Sequence, residues 1–211
     1  AATVENGVLT AVSVGTATVT ATTVNELTAV CVVTVTEADD GQEQTKDGWI
    51  YYEDFSSRKA VPTYFAQDVQ GLGRVELEDG ALRMTTVYGG ASDRAFMVYS
   101  FKTALPETFV VEAQVCSDSL AFANLLFLYG LTDNYSDTSK IAANVAMDKG
   151  SFKNNAGAGW NTSIMPYDNG VWYEVSMLVD TTASAYWLTV DGTTSGRMSF
   201  RNRNIEIRTL R

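Results

Sequence analysis

The chain contains no histidine. That absence removes Ser-His-Asp and Cys-His nucleophilic sites, His-ligated zinc and imidazole general-base chemistry. Any catalysis would have to rest on carboxylates, Tyr, Lys or Arg. Cysteine is nearly absent too. Cys31 and Cys116 are the only two, and they form no C-x-x-C pair, so neither a zinc nor a redox motif is present. Cations are scarce: 15 Lys and Arg stand against 25 Asp and Glu, a formal net charge of -10. Such a surface repels phosphate backbones and anionic membrane faces, so nucleic acid is not an expected partner. Acidic polysaccharides are disfavoured for the same reason unless calcium bridges the like charges or a local basic patch exists. No run approaches the roughly 18 apolar residues of a membrane span, so membrane insertion is not expected. No signal peptide is visible, and Ala1 already sits in a strand-like pattern. The chain therefore reads as a mature fragment of a longer product. No amphipathic helix of useful length can be drawn.

What is present is a sequence built for strands. Hydrophobic residues make up 45% of the 211, enough for a real core. Residues 1–37 are rich in Thr, Val and Ala, with hardly any charge. Asn6-Gly7 is a strong two-residue hairpin signal. Residues 16–22 and 27–36 read as β-branched strands. Cys31 shares a face with Ala29, Val33 and Val35 and is expected to be a small buried core residue, and no bridge to Cys116 is expected. Residues 38–48 are polar and form the expected linker. Residues 49–211 carry strand-like runs at 49–55, 74–77, 81–87, 95–101, 109–116, 124–131, 141–147, 173–180, 185–190, 198–200 and 205–208. Turn signals fall at Asp79-Gly80, Gly89-Gly90, Lys149-Gly150 and Asp191-Gly192. Many short strands with closely spaced turns predict an all-β sandwich or jelly roll.

Two resemblances sharpen this. Ala2-Thr3-Val4, Gly7 to Ala11, Gly15 to Ala21 and Val33-Thr34-Val35 together resemble the C-terminal half of a bacterial immunoglobulin-like group 2 domain. The family's first half is missing. A segment this short falls below the roughly 40 residues that usually fold unaided, and its open edges invite strand pairing with another chain or module. Residues 49–211 resemble the concanavalin A-like, laminin-G-like jelly rolls of bacterial secreted proteins. The likeness rests on Tyr52 to Ser56, Glu78 to Met84, Phe109 to Ala113 and Gly170 to Val175, and on Tyr186 to Gly192. The closing strand usual in that family is not evident before Arg211. The resemblance implies a partial Ig-like sandwich followed by a jelly roll, in an extracellular, secreted or cell-surface protein.

Candidate chemistry is thin. Jelly-roll glycoside hydrolases carry Glu-x-Asp-x-x-Glu on a central strand, and no such run exists. Glu37-Ala38-Asp39 begins like it but reaches Gln42. Glu76 and Glu78 flank a turn and read as solvated. Glu112 and Gln114 share one strand face; they either line a cleft or form the ordinary solvent side of a half-buried strand. Aromatic residues are the usual platform for sugar C–H faces. Trp172 reads as core, Trp187 stands between core and surface, and Trp49 is expected to pack where the modules meet. Trp160, with Asn161 beside it in a Gly- and Asn-rich loop, suits ligand contact or packing on a sandwich edge. Tyr135 is a second loop candidate. Asp133 and Asp137 could give oxygen ligands to calcium, although the spacing matches no recognised loop. Asp54 lies in the opening motif, near where relatives hold calcium. The expected function is a non-catalytic module binding a polysaccharide or glycan, within a multi-module protein that acts on glycans. The alternative is a structural or adhesive stalk with a protein partner.

Overall fold

The computed structural model describes residues 1–35, 43–86, 93–120, 123–157 and 162–211. The Glu37-Ala38-Asp39 run, Gln42, the Gly89-Gly90 turn, Trp160 and Asn161 lie outside them. The chain is all-β. Among the described residues the only helical segments are two single 3-10 turns, Phe55–Ser57 and Thr138–Lys140. Its contacts group into two compact units, Ala1–Met97 and Val98–Arg211. The linker expected at 38–48 is partly outside the described residues.

The first unit is a series of hairpins. Strands β1 (Ala2–Glu5) and β2 (Val8–Ala11) pair antiparallel, as do β3 (Gly15–Thr22) and β4 (Thr28–Val35). The β1–β2 turn is made by Asn6 and Gly7, both at positive φ (51° and 78°). This is the left-handed pair that a right-twisted two-residue hairpin requires. After β5 (Ala66–Gln70), strands β6 (Arg74–Glu78) and β7 (Ala81–Thr85) repeat the device at Asp79 and Gly80. Glu76 and Glu78 are exposed on that hairpin, as expected.

Two expectations fail here. Residues 49–55 form no strand. Their aromatic side chains instead pack against one another and against Phe65 from irregular backbone, with Tyr51 edge-on to Phe65 at 6.1 Å. Trp49 is edge-on to Tyr52 at 5.9 Å, and the Lys46 ammonium lies 4.9 Å above its ring. Arg58 and Glu53 form an ion pair (2.8 Å), both side chains nearly buried, and Arg58 also donates to the Tyr64 hydroxyl at 2.9 Å. Cys31 is exposed, not buried. It does share a strand face with Ala29 and Val33, but that face is only half covered, with Val33, Ala17 and Val19 half-buried, and Val30 and Val32 on the other are exposed.

The second unit is a sandwich. Strand β8 (Arg94–Ser100) runs into it from the first unit. There follow β9 (Thr108–Cys116), β10 (Ala123–Tyr129), β11 (Ile141–Asp148), β12 (Ser151–Asn154), β13 (Thr162–Pro166), β14 (Trp172–Asp180), β15 (Ala185–Val190), β16 (Thr193–Thr194), β17 (Met198–Ser199) and β18 (Thr209–Leu210). One sheet contains the order β13-β12-β11-β10-β18-β8. The other runs β16-β15-β14-β9, with β17 also on β15. The strand expected at 205–208 is displaced: Ile205 to Arg208 approach as irregular chain, and only Thr209–Leu210 enters the sheet, between β8 and β10. Strands β5, β12, β13 and β16 carry too little alternation to be read from sequence.

The core lies between the two sheets. Leu128, Ala143, Val145, Met147 and Phe152 from one meet Phe109, Val175, Met177, Val179, Tyr186, Leu188 and Val190 from the other. Period-two alternation aims these side chains inward. The Tyr186 hydroxyl crosses the core and donates to the Asn144 carbonyl at 3.1 Å, and burial raises its pKa well above the ordinary phenol value.

Candidate functional site

Strand β14 fixes the geometry of the candidate site. Tyr173, Val175, Met177 and Val179 point inward, so Trp172, Glu174, Ser176, Leu178 and Asp180 must point outward. Trp172 is 57% exposed, which corrects its reading as core. The reason is parity: Trp172 shares its phase with Glu174 and Ser176, not with the apolar residues between them. Both neighbouring strands pair with β14 antiparallel and continue its outward face.

Register places the outward residues in rows across the strands. Cys116 stands opposite Trp172, and Gln114 opposite Glu174. Glu112 stands opposite Ser176, which is opposite Thr189, which in turn pairs with Thr194. The two threonine hydroxyls are hydrogen-bonded to each other at 2.9 Å. The next row is apolar: Val110, Leu178 and Trp187, of which Val110 is 48% and Leu178 41% exposed. Trp187 belongs to this outward face, its neighbours Tyr186 and Leu188 both being core. Six residues of β14 separate Trp172 from the row of Trp187, or about 20 Å at ~3.3 Å per residue.

The face therefore carries an indole at one end, an indole in an apolar row at the other, and carboxylates, an amide and hydroxyls between. Glu112 and Gln114, both predicted, are brought together on it. Trp172, Trp187, Glu174, Ser176 and Thr189 join them. Sequence reasoning had left these five out of the site, although the alternation along β14 carried the signal for three of them. Glu112 and Glu174 are diagonal neighbours, an arrangement with about 7–8 Å between backbone positions. Both are exposed. Glu174 is anchored through its backbone, its N–H donating to the Asp191 carboxylate at 2.9 Å. The Cys116 thiol is half-buried at the Trp172 end; desolvation, then the charge of Asp118, raises its pKa.

The other predicted residues lie elsewhere. Tyr135 is part of a tyrosine–arginine cluster. Its carbonyl accepts from the Tyr129 hydroxyl (3.0 Å) and from Arg211 Nη1 (2.9 Å), and the Arg211 guanidinium lies 5.5 Å from its ring centre. These contacts hold the 131–140 loop. Asp137 caps the 3-10 turn Thr138–Lys140, its carboxylate accepting from the Ser139 N–H (3.0 Å) and hydroxyl (2.6 Å). Asp54 caps Phe55–Ser57 in the same way, through the Ser56 N–H at 2.9 Å. Asp133 is exposed. Among the described residues no group of three or more His, Cys, Asp or Glu stands together. No described helix is long and apolar enough to cross a membrane.

Fold and site together define an all-β protein whose second unit is a two-sheet sandwich with a mixed polar and aromatic outer face. No protein-family model matches the chain, and no curated relative does. A solved structure does. A sialidase is similar over 75% of this chain with a TM-score of 0.58, at 18% identity. The matched part is 14% of that sialidase's length, so the likeness is to one portion of a much longer protein and is one of fold.

Proposed function

We propose that the chain is a non-catalytic carbohydrate-binding module, with the outward face of β9, β14 and β15 as its ligand surface. One observation carries the reading: two outward tryptophans bracket a row of hydroxyl, amide and carboxylate groups on a rigid sheet. Indole faces stack on pyranose C–H surfaces, and the polar groups between them take hydroxyls. The fold likeness to part of a sialidase, a glycan-active protein, supports the same class. In this reading residues 49–211 are the binding jelly roll and residues 1–37 the Ig-like spacer of a secreted or cell-surface protein.

The setting of the two glutamates supports binding without cleavage. A glycosidase acid needs a water-excluding pocket to keep its proton near neutral pH. Glu112 and Glu174 lie open on a sheet surface. Trp160 and Asn161 stay candidates for an additional contact on sequence grounds, and Tyr135 would contribute through its loop. Calcium remains part of the proposal only as a loop ligand of Asp54, Asp133 or Asp137, with Asp54 and Asp137 released from their capping hydrogen bonds. The test is retention on immobilised polysaccharides and a glycan array. Retention that falls with Trp172→Ala supports the reading, and a folded protein that binds no glycan refutes it.

A second reading has an observation of its own. Val4, Val8, Leu9, Val12, Val14, Val30 and Val32 are exposed on the first hairpins. Exposed apolar side chains on short two-stranded hairpins with open edges favour a stalk or adhesive segment completed by a protein strand.

A further inference from the structure

The charge of the proposed ligand face bears on which glycans it takes, an inference that rests on the glycan-binding reading above. Strands β9, β14, β15, β16 and β17 contain no Lys and no Arg. Their outward side carries the carboxylates of Glu112 and Glu174. Asp180 adds a third at the end of β14, where its side chain accepts from the Ala183 N–H at 2.7 Å. The cation closest in sequence, Arg197, lies in the link between β16 and β17 and donates to the Ala183 carbonyl at 2.9 Å.

A carboxylate is an acceptor only. It pairs with a hydroxyl, which has a proton to give, and it repels a ligand carboxylate or sulfate, which has none. Gln114, Ser176 and Thr189 both donate and accept, so they complement hydroxyls without supplying positive charge. An anionic sugar would need a guanidinium or ammonium partner, and these strands offer none. The two indoles, about 20 Å apart along β14, fit an extended chain of several residues better than one terminal sugar. We infer that this face takes a neutral, hydroxyl-rich glycan chain and discriminates against sialylated, uronate-containing or sulfated glycans. The selectivity is repulsion built against the wrong ligand as much as attraction to the right one.

The experiment compares neutral oligosaccharides with sialylated and sulfated ones by calorimetry, on the full chain. Neutral chains should bind at least about tenfold more tightly, a difference of ~1.4 kcal/mol. Their affinity should stay constant between about 0.01 M and 1 M salt, where the screening length falls from ~30 Å to ~3 Å. Trp172→Ala should weaken neutral binding about tenfold, and Trp187→Ala should weaken it for long chains more than for short ones. The double variant Glu112→Lys/Glu174→Lys, on exposed positions, should lose neutral binding and gain anionic binding, while Glu78→Lys on the β6–β7 hairpin of the first unit should change neither. Anionic glycans bound as tightly as neutral ones, with both lost in Trp172→Ala, would overturn the charge selectivity and leave the module reading standing. A folded protein that binds nothing would overturn the module reading itself.

Discussion

The carboxylate of Asp137 shows how a residue chosen for one chemistry can serve another. Two hydrogen bonds from Ser139 hold its pKa below the ordinary 3.8, and Asp54 is lowered in the same way by Ser56. A lowered folded pKa gives stability that is present above 3.8 and is lost as the pH falls through the folded value. Titration by NMR should place the Asp137 midpoint below 3.8 in the native protein, and Ser139→Ala, which keeps the N–H but removes the hydroxyl, should move it part of the way back; an unmoved midpoint in the variant would show that the hydroxyl bond is not made in solution. Thiol chemistry offers a second check at this scale. Both cysteines are free, Cys31 exposed and Cys116 half-buried with a raised pKa. Only the thiolate is alkylated. Iodoacetamide should therefore label Cys31 first at mildly alkaline pH, with Cys116 following slowly, as read by mass spectrometry of the two peptides.

Hairpins were the most legible elements, because their turns demand particular residues. Asn6-Gly7, Asp79-Gly80, Lys149-Gly150 and Asp191-Gly192 all adopt the paired positive φ that only a few residue types enter cheaply. They differ in surroundings, and that difference is testable. A Cβ on Gly192 would meet nothing within 4 Å, whereas one on Gly80 would lie 3.1 Å from the Ser56 Cα. Gly192→Ala should cost about 1 kcal/mol from backbone strain alone, and Gly80→Ala distinctly more, measured as urea midpoints. Strand phase was legible too: Val111 and Val115 correctly set Glu112 and Gln114 outward. Trp172 lies in a stretch that resembles a core strand of the jelly rolls, but its phase is that of Glu174 and Ser176, and it is exposed with them. Alternation says which side chains share a face; it does not say whether a second layer covers that face. Cys31 was misplaced for that reason, since β3 and β4 alternate as core strands do. The aromatic run 49–55 fails differently, its composition being strand-like while its ring contacts suit irregular chain.

At the scale of the whole molecule, burial is unevenly distributed, and stability should be distributed likewise. The second unit closes its sheets over Leu128, Val145, Phe152, Met177, Val179, Tyr186 and Leu188, all nearly inaccessible. Every residue from Ile141 to Met147 is buried, so β11 is covered on both faces. In the first 35 residues, by contrast, no side chain is buried. Their hairpins rest on ladder hydrogen bonds with little apolar area removed from water, and it is apolar burial that supplies most of the free energy holding strands together. Truncating the core should expose this difference. Met177→Ala removes a buried side chain and should destabilise the second unit by about 2–5 kcal/mol, while Val30→Ala on β4 should cost no more than about 0.5 kcal/mol. Hydrogen exchange resolves the same contrast without mutation. Amides of Ala2–Glu5 and Thr28–Val35 should exchange far faster than those of Ile141–Asp148 and Trp172–Asp180, because opening a hairpin with no fully buried side chain costs little and opening the sandwich costs its whole core. Equal protection in the two regions would mean that the apolar face of β3 and β4 is covered in solution, and would turn the search for a partner from the tryptophan-bearing sheet to the first hairpins.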